Sequence, residues 1–408
     1  MTKAFDTVSR EGLWRIMAKF GCPPKFINMV RQFHDGMHAS VQEAGDNSKP
    51  FPVTNGVKQG CVLAPTLFSI MFSAMLSDAF REEDCGIEFK YRTDCSVFGN
   101  TVKLKAKTKV MVDIIRDLLF ADDCALNAHS EPEMQRSMDL FSAACRDFGL
   151  TISTKKTEVL YQPAPGKVYK APSIAVEGET LKPVQKFIYL GSTISANVSV
   201  DDEVNRRIAQ ASAAFGGLHK NVWTRRGLSL ATKLEVYHAV VIPSLLYSSE
   251  SWTVYARHVR QLNSFHMRCL RKLLRVQSFD HIPDTEILER AGTVSIFALI
   301  SRNQLRWSGH VARMPDNRLP KQIFYGELCL GRRTQGRPRK RYKDMLGDTL
   351  DNCGIPRKSW DSLAQDRSSW RSQVRSGVAA YEATRVEKKK EQRARRKGSN
   401  VGRGTTSN

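Results

Sequence analysis

The residues best suited to chemistry are two adjacent carboxylates, Asp122 and Asp123. They sit in the stretch Asp117-Leu118-Leu119-Phe120-Ala121-Asp122-Asp123-Cys124-Ala125-Leu126. Apolar residues run up to the pair and resume directly behind it, which is the pattern of a β-hairpin with the acids at its tip. Strands on either side fix the backbone while the carboxylates point outward. Two anions this close repel each other, and a divalent cation relieves that cost. Such a pair is half of what a two-metal phosphoryl-transfer centre needs. Asp is also a common turn residue, and taken alone the pair is more often plain turn chemistry. The surrounding stretches therefore decide.

Upstream, Leu13, Ile16, Met17 and Phe20 share one helical face, ended by Gly21-Cys22-Pro23-Pro24. A second helix is expected over 25–36 and a short hairpin over 41–53. Asn55-Gly56-Val57-Lys58-Gln59-Gly60-Cys61 then leads into an apolar helix over 63–80. Gly60 permits close backbone approach, and Gln59 stands where it could touch a base or sugar, although the stretch also reads as an ordinary loop-to-helix junction. Lys103, Lys105, Lys107 and Lys109 recur at period two and would line one face of a strand. Downstream of the acids, a helix over 131–148 is ended by Gly149. Lys155 and Lys156 open the strand that follows it, and 187–194 closes the region as one more strand.

After residue 200 the pattern is helical. Val204, Ile208, Ala211, Phe215 and Leu218 mark one stripe. Leu230, Leu234, Tyr237 and Val241 mark a second, stopped by Pro243, and Leu262, Phe265, Cys269, Leu273 and Val276 mark a third. Arg206, Arg207, Arg225, Arg226, Arg268, Arg271, Lys272 and Arg275 lie on the outer faces and could follow a phosphate backbone. Each taken singly reads as a solvated side chain. The segment 331–343 holds Arg332, Arg333, Arg337, Arg339, Lys340, Arg341 and Lys343, and 388–397 is equally basic. Short helices anchored by Trp360 and Trp370 are expected between them, with disorder over the last fifteen or so residues.

The net charge of +22 is uneven. Residues 301–408 carry 26 Lys/Arg against 10 Asp/Glu, whereas the first 300 carry 37 against 31. This asymmetry points to a polyanionic partner, most simply nucleic acid. No apolar run approaches a membrane span and no secretion signal is visible, so no membrane partner is expected. The nine Cys are scattered without a CxxC pair, which suits reduced thiols in a nuclear or cytosolic compartment and gives no zinc-site spacing.

The ordered set Lys3-Ala4-Phe5-Asp6, Gly56 to Pro65, Phe120-Ala121-Asp122-Asp123, Lys155-Lys156-Thr157 and Tyr189-Leu190-Gly191 resembles the palm of a non-LTR (LINE-type) retrotransposon reverse transcriptase. The helical part, with Leu245-Leu246-Tyr247 ahead of Glu250 and Trp252, looks like the thumb and C-terminal region of the same elements. The resemblance implies an α+β fold, with a small antiparallel sheet and flanking helices. It divides the chain into a palm (1–199) that lacks fingers, a helical thumb (200–310) and a basic, partly disordered C-terminal region (311–408). It implies two Mg²⁺ ions, or Mn²⁺, held in part by Asp122 and Asp123. Those ions would activate a primer 3′-hydroxyl and stabilise leaving pyrophosphate.

In the same resemblance Phe5 matches the steric gate against a 2′-hydroxyl, and Gln59 and Gly60 match the loop against template and nucleotide. Lys156 matches the lysine that protonates pyrophosphate, and Tyr189-Leu190-Gly191 matches the primer grip. The implied partners are an RNA template, a DNA primer and genomic DNA. Work in the nucleus follows, with cytoplasmic contact with element RNA; the oligomeric state stays open. The chain departs from the pattern in two places. Ser153 replaces the usual asparagine of its box. The family's first metal aspartate, three residues ahead of the lysine that matches Lys3, would fall just before Met1. Little or no polymerase activity is therefore expected of the chain as written, and a non-catalytic RNA- or DNA-binding protein derived from such an element is the alternative.

Overall fold

The helix α3 (Ala64–Ala79) is the packing centre of the first half of the chain. Ala64, Leu67, Phe68, Met71, Phe72, Met75 and Leu76 are buried at three- and four-residue spacing, which gives the helix a wide apolar face. On one side lies α1 (Arg10–Lys19), with Leu13 and Met17 fully buried and Ser9 capping its start through the Gly12 amide. On the other lies α4 (Glu131–Asp147), whose N-cap is Ser130. A run of rings crosses this core: Phe5 stacks on Phe68 at 4.6 Å, Phe68 on Phe72 at 5.5 Å, and Phe72 meets Phe141 edge-on at 6.3 Å. The loop containing Phe5 is thereby fixed to the helix that follows the Gln59-Gly60 loop.

The computed structural model describes every residue except 82, 95–96, 99–103, 105–107, 165, 332–338 and 402–408. The chain divides into two compact units, Met1–Phe89 with Val112–Leu190, and Lys90–Met111 with Gly191–Asn408. The sequence suggests three parts with a first boundary near 199. In the structure the boundary falls at 190/191, and the segments on either side of residue 310 share one unit. In the first unit, α2 (Pro24–Gln32) and two nested antiparallel pairs, His38–Ala39 with Phe51–Pro52 and Gln42–Glu43 with Asp46–Asn47, precede α3. The acidic hairpin consists of β1 (Asp117–Phe120) and β2 (Asp123–Leu126). Behind it β3 (Glu158–Leu160) pairs in parallel with β4 (Lys182–Val184), with Glu158 opposite Lys182. Small sheets among helices give the mixed α and β character expected.

The second unit is helical. Its main elements are α5 (Asp201–Gly217), α6 (Ala256–Leu274), α7 (Asp284–Arg290), α8 (Ile296–Ala312), α9 (Tyr342–Asn352) and α10 (Arg367–Val401). α8 serves two cores. Leu299 and Ile300 join the cluster of α5 and α6, while Ala298, Leu305 and Ala312 join a cluster with Leu346, Trp360, Trp370 and Val374. The Trp370 indole donates to the Leu305 carbonyl at 3.0 Å and lies so close to Gly309 that a Cβ there would collide with it. This shared helix is why 200–310 and 311–408 do not separate.

Several local expectations change. Among the described residues after 311, much of the segment packs around two buried tryptophans, and α10 reaches Val401; 402–408, part of the tail expected to be disordered, lie outside the described residues. Pro243 does not end its helix. A π-turn, Tyr237–Val241, precedes it and the helix resumes over Ile242–Leu246. The wider turn moves the carbonyl against which the proline ring would otherwise press. Lys109 has φ +62, which breaks the expected strand, and Lys103, Lys105 and Lys107 lie outside the described residues.

The start of α5 holds an ionic cluster. Asp201 accepts from the Ser199 hydroxyl at 2.5 Å, faces His258 Nε2 at 2.7 Å, and pairs with Arg257 at 2.6 Å. The Ser199 hydrogen bond first, then His258 and Arg257, lower the Asp201 carboxyl to about 2. A carboxyl held below its unfolded value of about 4 contributes stability above that value and loses it as pH falls towards about 2. Urea midpoints of the wild type are expected to drop across this acid window, and Asp201→Asn should flatten that drop while lowering the midpoint at pH 7.

Candidate active site

The hairpin is a four-pair ladder with Asp117 opposite Leu126 and Phe120 opposite Asp123, so Ala121 and Asp122 form a two-residue loop. Ala121 has φ +52, a conformation in which a Cβ costs of order 1–2 kcal/mol. Glycine is the usual residue there, and strain of this kind concentrates at functional turns. Cys124 and Leu126 pack on the core of the first unit, whereas Phe120 is 63% exposed at the tip. Asp122 is half-buried and Asp123 exposed. Among the described residues, neither carboxylate has a hydrogen-bond or ion-pair partner in the protein, so their oxygens are available to a ligand.

Arg116 anchors the base of the hairpin. Its guanidinium donates to the carbonyls of Cys85 (3.3 Å), Phe80 (3.4 Å) and Glu83 (2.6 Å), just past the end of α3, and it lies over the Phe80 ring. The Asn127 amide closes the ladder on the Arg116 carbonyl at 2.7 Å. Sequence reasoning passes over Arg116; a lone Arg beside an apolar run carries no distinctive signal. Next to it, burial raises the Asp117 carboxyl, partly offset by Arg116. Burial pushes the Cys124 thiol up to about 12, with Asp117 and Cys145 adding to the shift, so this cysteine is an inert packing residue.

A pocket of about 190 Å³ opens beside the hairpin. Asp122, Met1, Thr157 and Glu158 are among its lining residues, with Met138, Phe141 and Leu181 supplying apolar wall. The Thr2 amide ties the N-terminal segment to the Thr151 carbonyl at 3.0 Å. Lys156 is exposed in the turn just before Thr157, a turn closed by the Lys156 and Thr157 amides on the Ser153 carbonyl. The Tyr189 hydroxyl donates to the Leu118 carbonyl at 2.9 Å, which binds that segment to the hairpin strand, and burial raises its phenol.

Phe5, Gln59 and Gly60 do not line this pocket. Gln59 and Gly60 are exposed, and Gly60 has φ +85 with nothing within 4 Å of the point a Cβ would occupy. Gly56 is the constrained glycine of the loop. It has φ +80, and a Cβ there would meet the Asp6 carbonyl at 2.7 Å and the Phe5 carbonyl at 2.8 Å. The Gly56 and Val57 amides donate to the carbonyls of Val8 and Phe5, and Arg10 binds the carbonyls of Gly56, His34 and Asn55. The segment around Phe5 and the glycine-bracketed loop are thus one hydrogen-bonded unit. Neither Arg10 nor the role of Gly56 is legible from local pattern.

Leu190 and Gly191 both have positive φ, so the chain turns between the strands Lys186–Tyr189 and Ser192–Ser195 instead of running on as one. Gly191 belongs to the second unit, where its carbonyl accepts from Arg206 and Arg207. Arg207 also forms a buried pair with Glu203 and lies over the Tyr247 ring, so these two arginines are occupied within the protein.

Of the basic segment, Arg332, Arg333 and Arg337 lie outside the described residues. Arg339 donates to the Asn197 carbonyl, Lys340 pairs with Asp348, and Arg341 bonds Glu327. Lys343 donates to the Gly326 carbonyl at 2.7 Å, and burial pushes its ammonium down to about 8.

Residues 1–194 match the reverse transcriptase (RNA-dependent DNA polymerase) family. They form a reverse-transcriptase domain of the non-LTR retrotransposon type. The chain is 29% identical over 273 residues to an uncharacterized transposon-derived protein of Caenorhabditis elegans, covering 64% of this chain and 95% of that protein. It is 25% identical over 280 residues to the RNA-directed DNA polymerase from mobile element jockey of Drosophila funebris, covering 66% of this chain and 27% of that protein. With the Pol polyprotein of the type-1 retrotransposable element R2 of Popillia japonica it shares 26% identity over 200 residues, or 48% of this chain and 30% of that one. The chain therefore spans about 30% or less of these two polymerase relatives. Reverse transcriptases depend in general on divalent metal. Two adjacent carboxylates with free oxygens suit a hard cation such as Mg²⁺, and among the described residues no cluster of three His, Cys, Asp or Glu completes a site. The hairpin of this domain thus presents two carboxylates with free oxygens.

Proposed function

We propose that this domain is the palm of an RNA-directed DNA polymerase that extends a DNA primer on an RNA template, with Asp122 and Asp123 as metal carboxylates. The observation that carries the reading is the unpartnered acid pair, held at the tip of a strained two-residue loop within a domain of this family. Bound there, Mg²⁺ would supply the charge that lowers the primer hydroxyl pKa and offsets the growing charge on pyrophosphate.

The protein's own groups do the rest. Arg116 and the Tyr189 hydroxyl hold the hairpin that presents the carboxylates. Lys156, exposed beside Thr157, gives a proton to departing pyrophosphate. The Phe5 ring, braced on Phe68, excludes a 2′-hydroxyl, and the loop of Gln59 and Gly60 meets the template and nucleotide. Tyr189, Leu190 and Gly191 position the primer. With genomic DNA as the primer source, this work belongs to the nucleus, after contact with element RNA in the cytoplasm. The resemblance calls for a third metal carboxylate, three residues ahead of the lysine that Lys3 matches.

Oligo(dT) extension on poly(rA) with Mg²⁺ tests the reading. Extension that vanishes in Asp122→Asn, with RNA binding retained, supports it. Robust extension indifferent to Asp122→Asn overturns it. If wild type and variant bind RNA equally and neither ever extends, the protein is a non-catalytic nucleic-acid-binding relative.

A further inference from the structure

A cavity of about 1740 Å³ lies in the second unit between α6, α7 and the C-terminal half of α10. Ten of its lining residues are Lys or Arg and three are Asp or Glu. Two of those acids are already spent, Asp284 on Arg271 and Glu286 on Arg290. Arg260, Lys272, Lys389 and Lys390 are exposed and have no ion-pair partner among the described residues. Like charge gathered in one cleft raises the energy of the empty state, and a polyanion lowers it.

The cations are arranged in rows. On α6, Arg260, Arg268 and Lys272 fall on one four-residue row, with Ser264 between the first two. On α10, Arg385, Lys389 and Arg393 form a second row facing the same cavity. Four residues of helix advance about 6 Å, comparable to the phosphate repeat of an extended nucleic-acid strand. The α10 row extends past the packed part of its helix. The last buried residue of α10 is Val378, and past it the helix is tied down by Glu382, which accepts from Ser295 at 2.6 Å and from Arg385 at 2.9 Å. A helix polar all round is held by i,i+4 pairs or by bridging to another body.

We propose that this cleft is a nucleic-acid site that grips the phosphodiester backbone of single-stranded RNA between its two cationic rows. A strand running between the walls meets cations on both sides, and Tyr381 on the wall offers a ring on which a base can stack. A duplex resting on the rim would meet only the outermost charges. The proposal rests on the reading that the chain handles RNA, and adds a site made of residues different from those of the polymerase hairpin.

The test measures binding of a fluorescent oligo(rU) to the full 408-residue protein by anisotropy, as a function of salt. Two triple variants, Arg260→Gln with Arg268→Gln and Lys272→Gln, and Lys389→Gln with Lys390→Gln and Arg393→Gln, are each expected to weaken binding about tenfold. Each should also make the log–log salt slope shallower by about 2. A control that removes the same charge elsewhere (Lys19→Gln, Lys25→Gln, Lys49→Gln) should leave the slope nearly unchanged. All the substituted side chains are exposed, so melting temperatures should match the wild type or exceed it. An unchanged slope in both cleft variants, an equal loss in the control, or tighter and equally cleft-dependent binding of duplex DNA overturns the proposal. Asp122→Asn is expected to bind oligo(rU) normally, so failure of primer extension and failure of this site give different results.

Discussion

An aspartate inserted directly ahead of Met1, behind a new initiator, is expected to raise Mg²⁺-dependent extension on poly(rA) by about a thousandfold over the starting chain. The magnitude is that of one preorganised electrostatic group acting on transition-state charge. The place is argued from the first unit. Met1 lines the same pocket as Asp122, and the Thr2–Thr151 hydrogen bond fixes the backbone there. The N-terminal ammonium lies near enough to Cys124 to lower its thiol against the upward push of burial. A residue added at that point enters the same neighbourhood as the hairpin, so a new carboxylate adds to the existing pair. An inserted asparagine gives the same chain length without the charge. If aspartate and asparagine insertions perform alike, the third carboxylate does not belong there. In the aspartate background, Asp122→Asn should return extension to the level of the uninserted chain or below it.

How much of this is legible in the sequence depends on the range of the interaction. The hairpin is legible because its signal is local: apolar runs of strand length on either side of two turn residues. α3 and α4 are legible because their apolar spacing repeats over about four turns. The turn at Leu190-Gly191 is missed because a leucine at positive φ leaves no mark in composition. Pro243 misleads because a π-turn can shift the carbonyl it would strike. The basic segment carries charge that sequence alone can assign only outward, whereas Lys340, Arg341 and Lys343 are bonded to groups of the second unit. Conversely, the cationic cleft unites residues more than a hundred positions apart, and no window along the chain contains both of its walls. Arg10 and Arg116 escape for the same reason, since what they bind is backbone carbonyl supplied by distant loops.

Gly56→Ala should be among the most damaging single-methyl additions in the first unit, costing about 3–5 kcal/mol. Two effects add. The residue has φ +80, where a Cβ is strained in itself, and the added carbon would sit 2.7–2.8 Å from backbone atoms of Phe5 and Asp6. Backbone cannot swing aside as a lysine tip can, so the segment from Phe5 to Val8 must separate from the loop and lose the Gly56–Val8 and Val57–Phe5 hydrogen bonds. That loss is a large share of a typical domain stability of about 5–15 kcal/mol. Gly60→Ala offers the matched comparison. Its φ is similar at +85, but the Cβ would enter open space, so only the torsional cost of about 1–2 kcal/mol remains. Urea denaturation of the two variants separates steric conflict from torsional strain. Hydrogen exchange at the Val57 amide should accelerate in Gly56→Ala and stay near wild type in Gly60→Ala. Equal destabilisation by the two substitutions would mean that the loop does not pack against the Phe5 segment. Phe5 would then have no rigid mount for the steric role proposed for it.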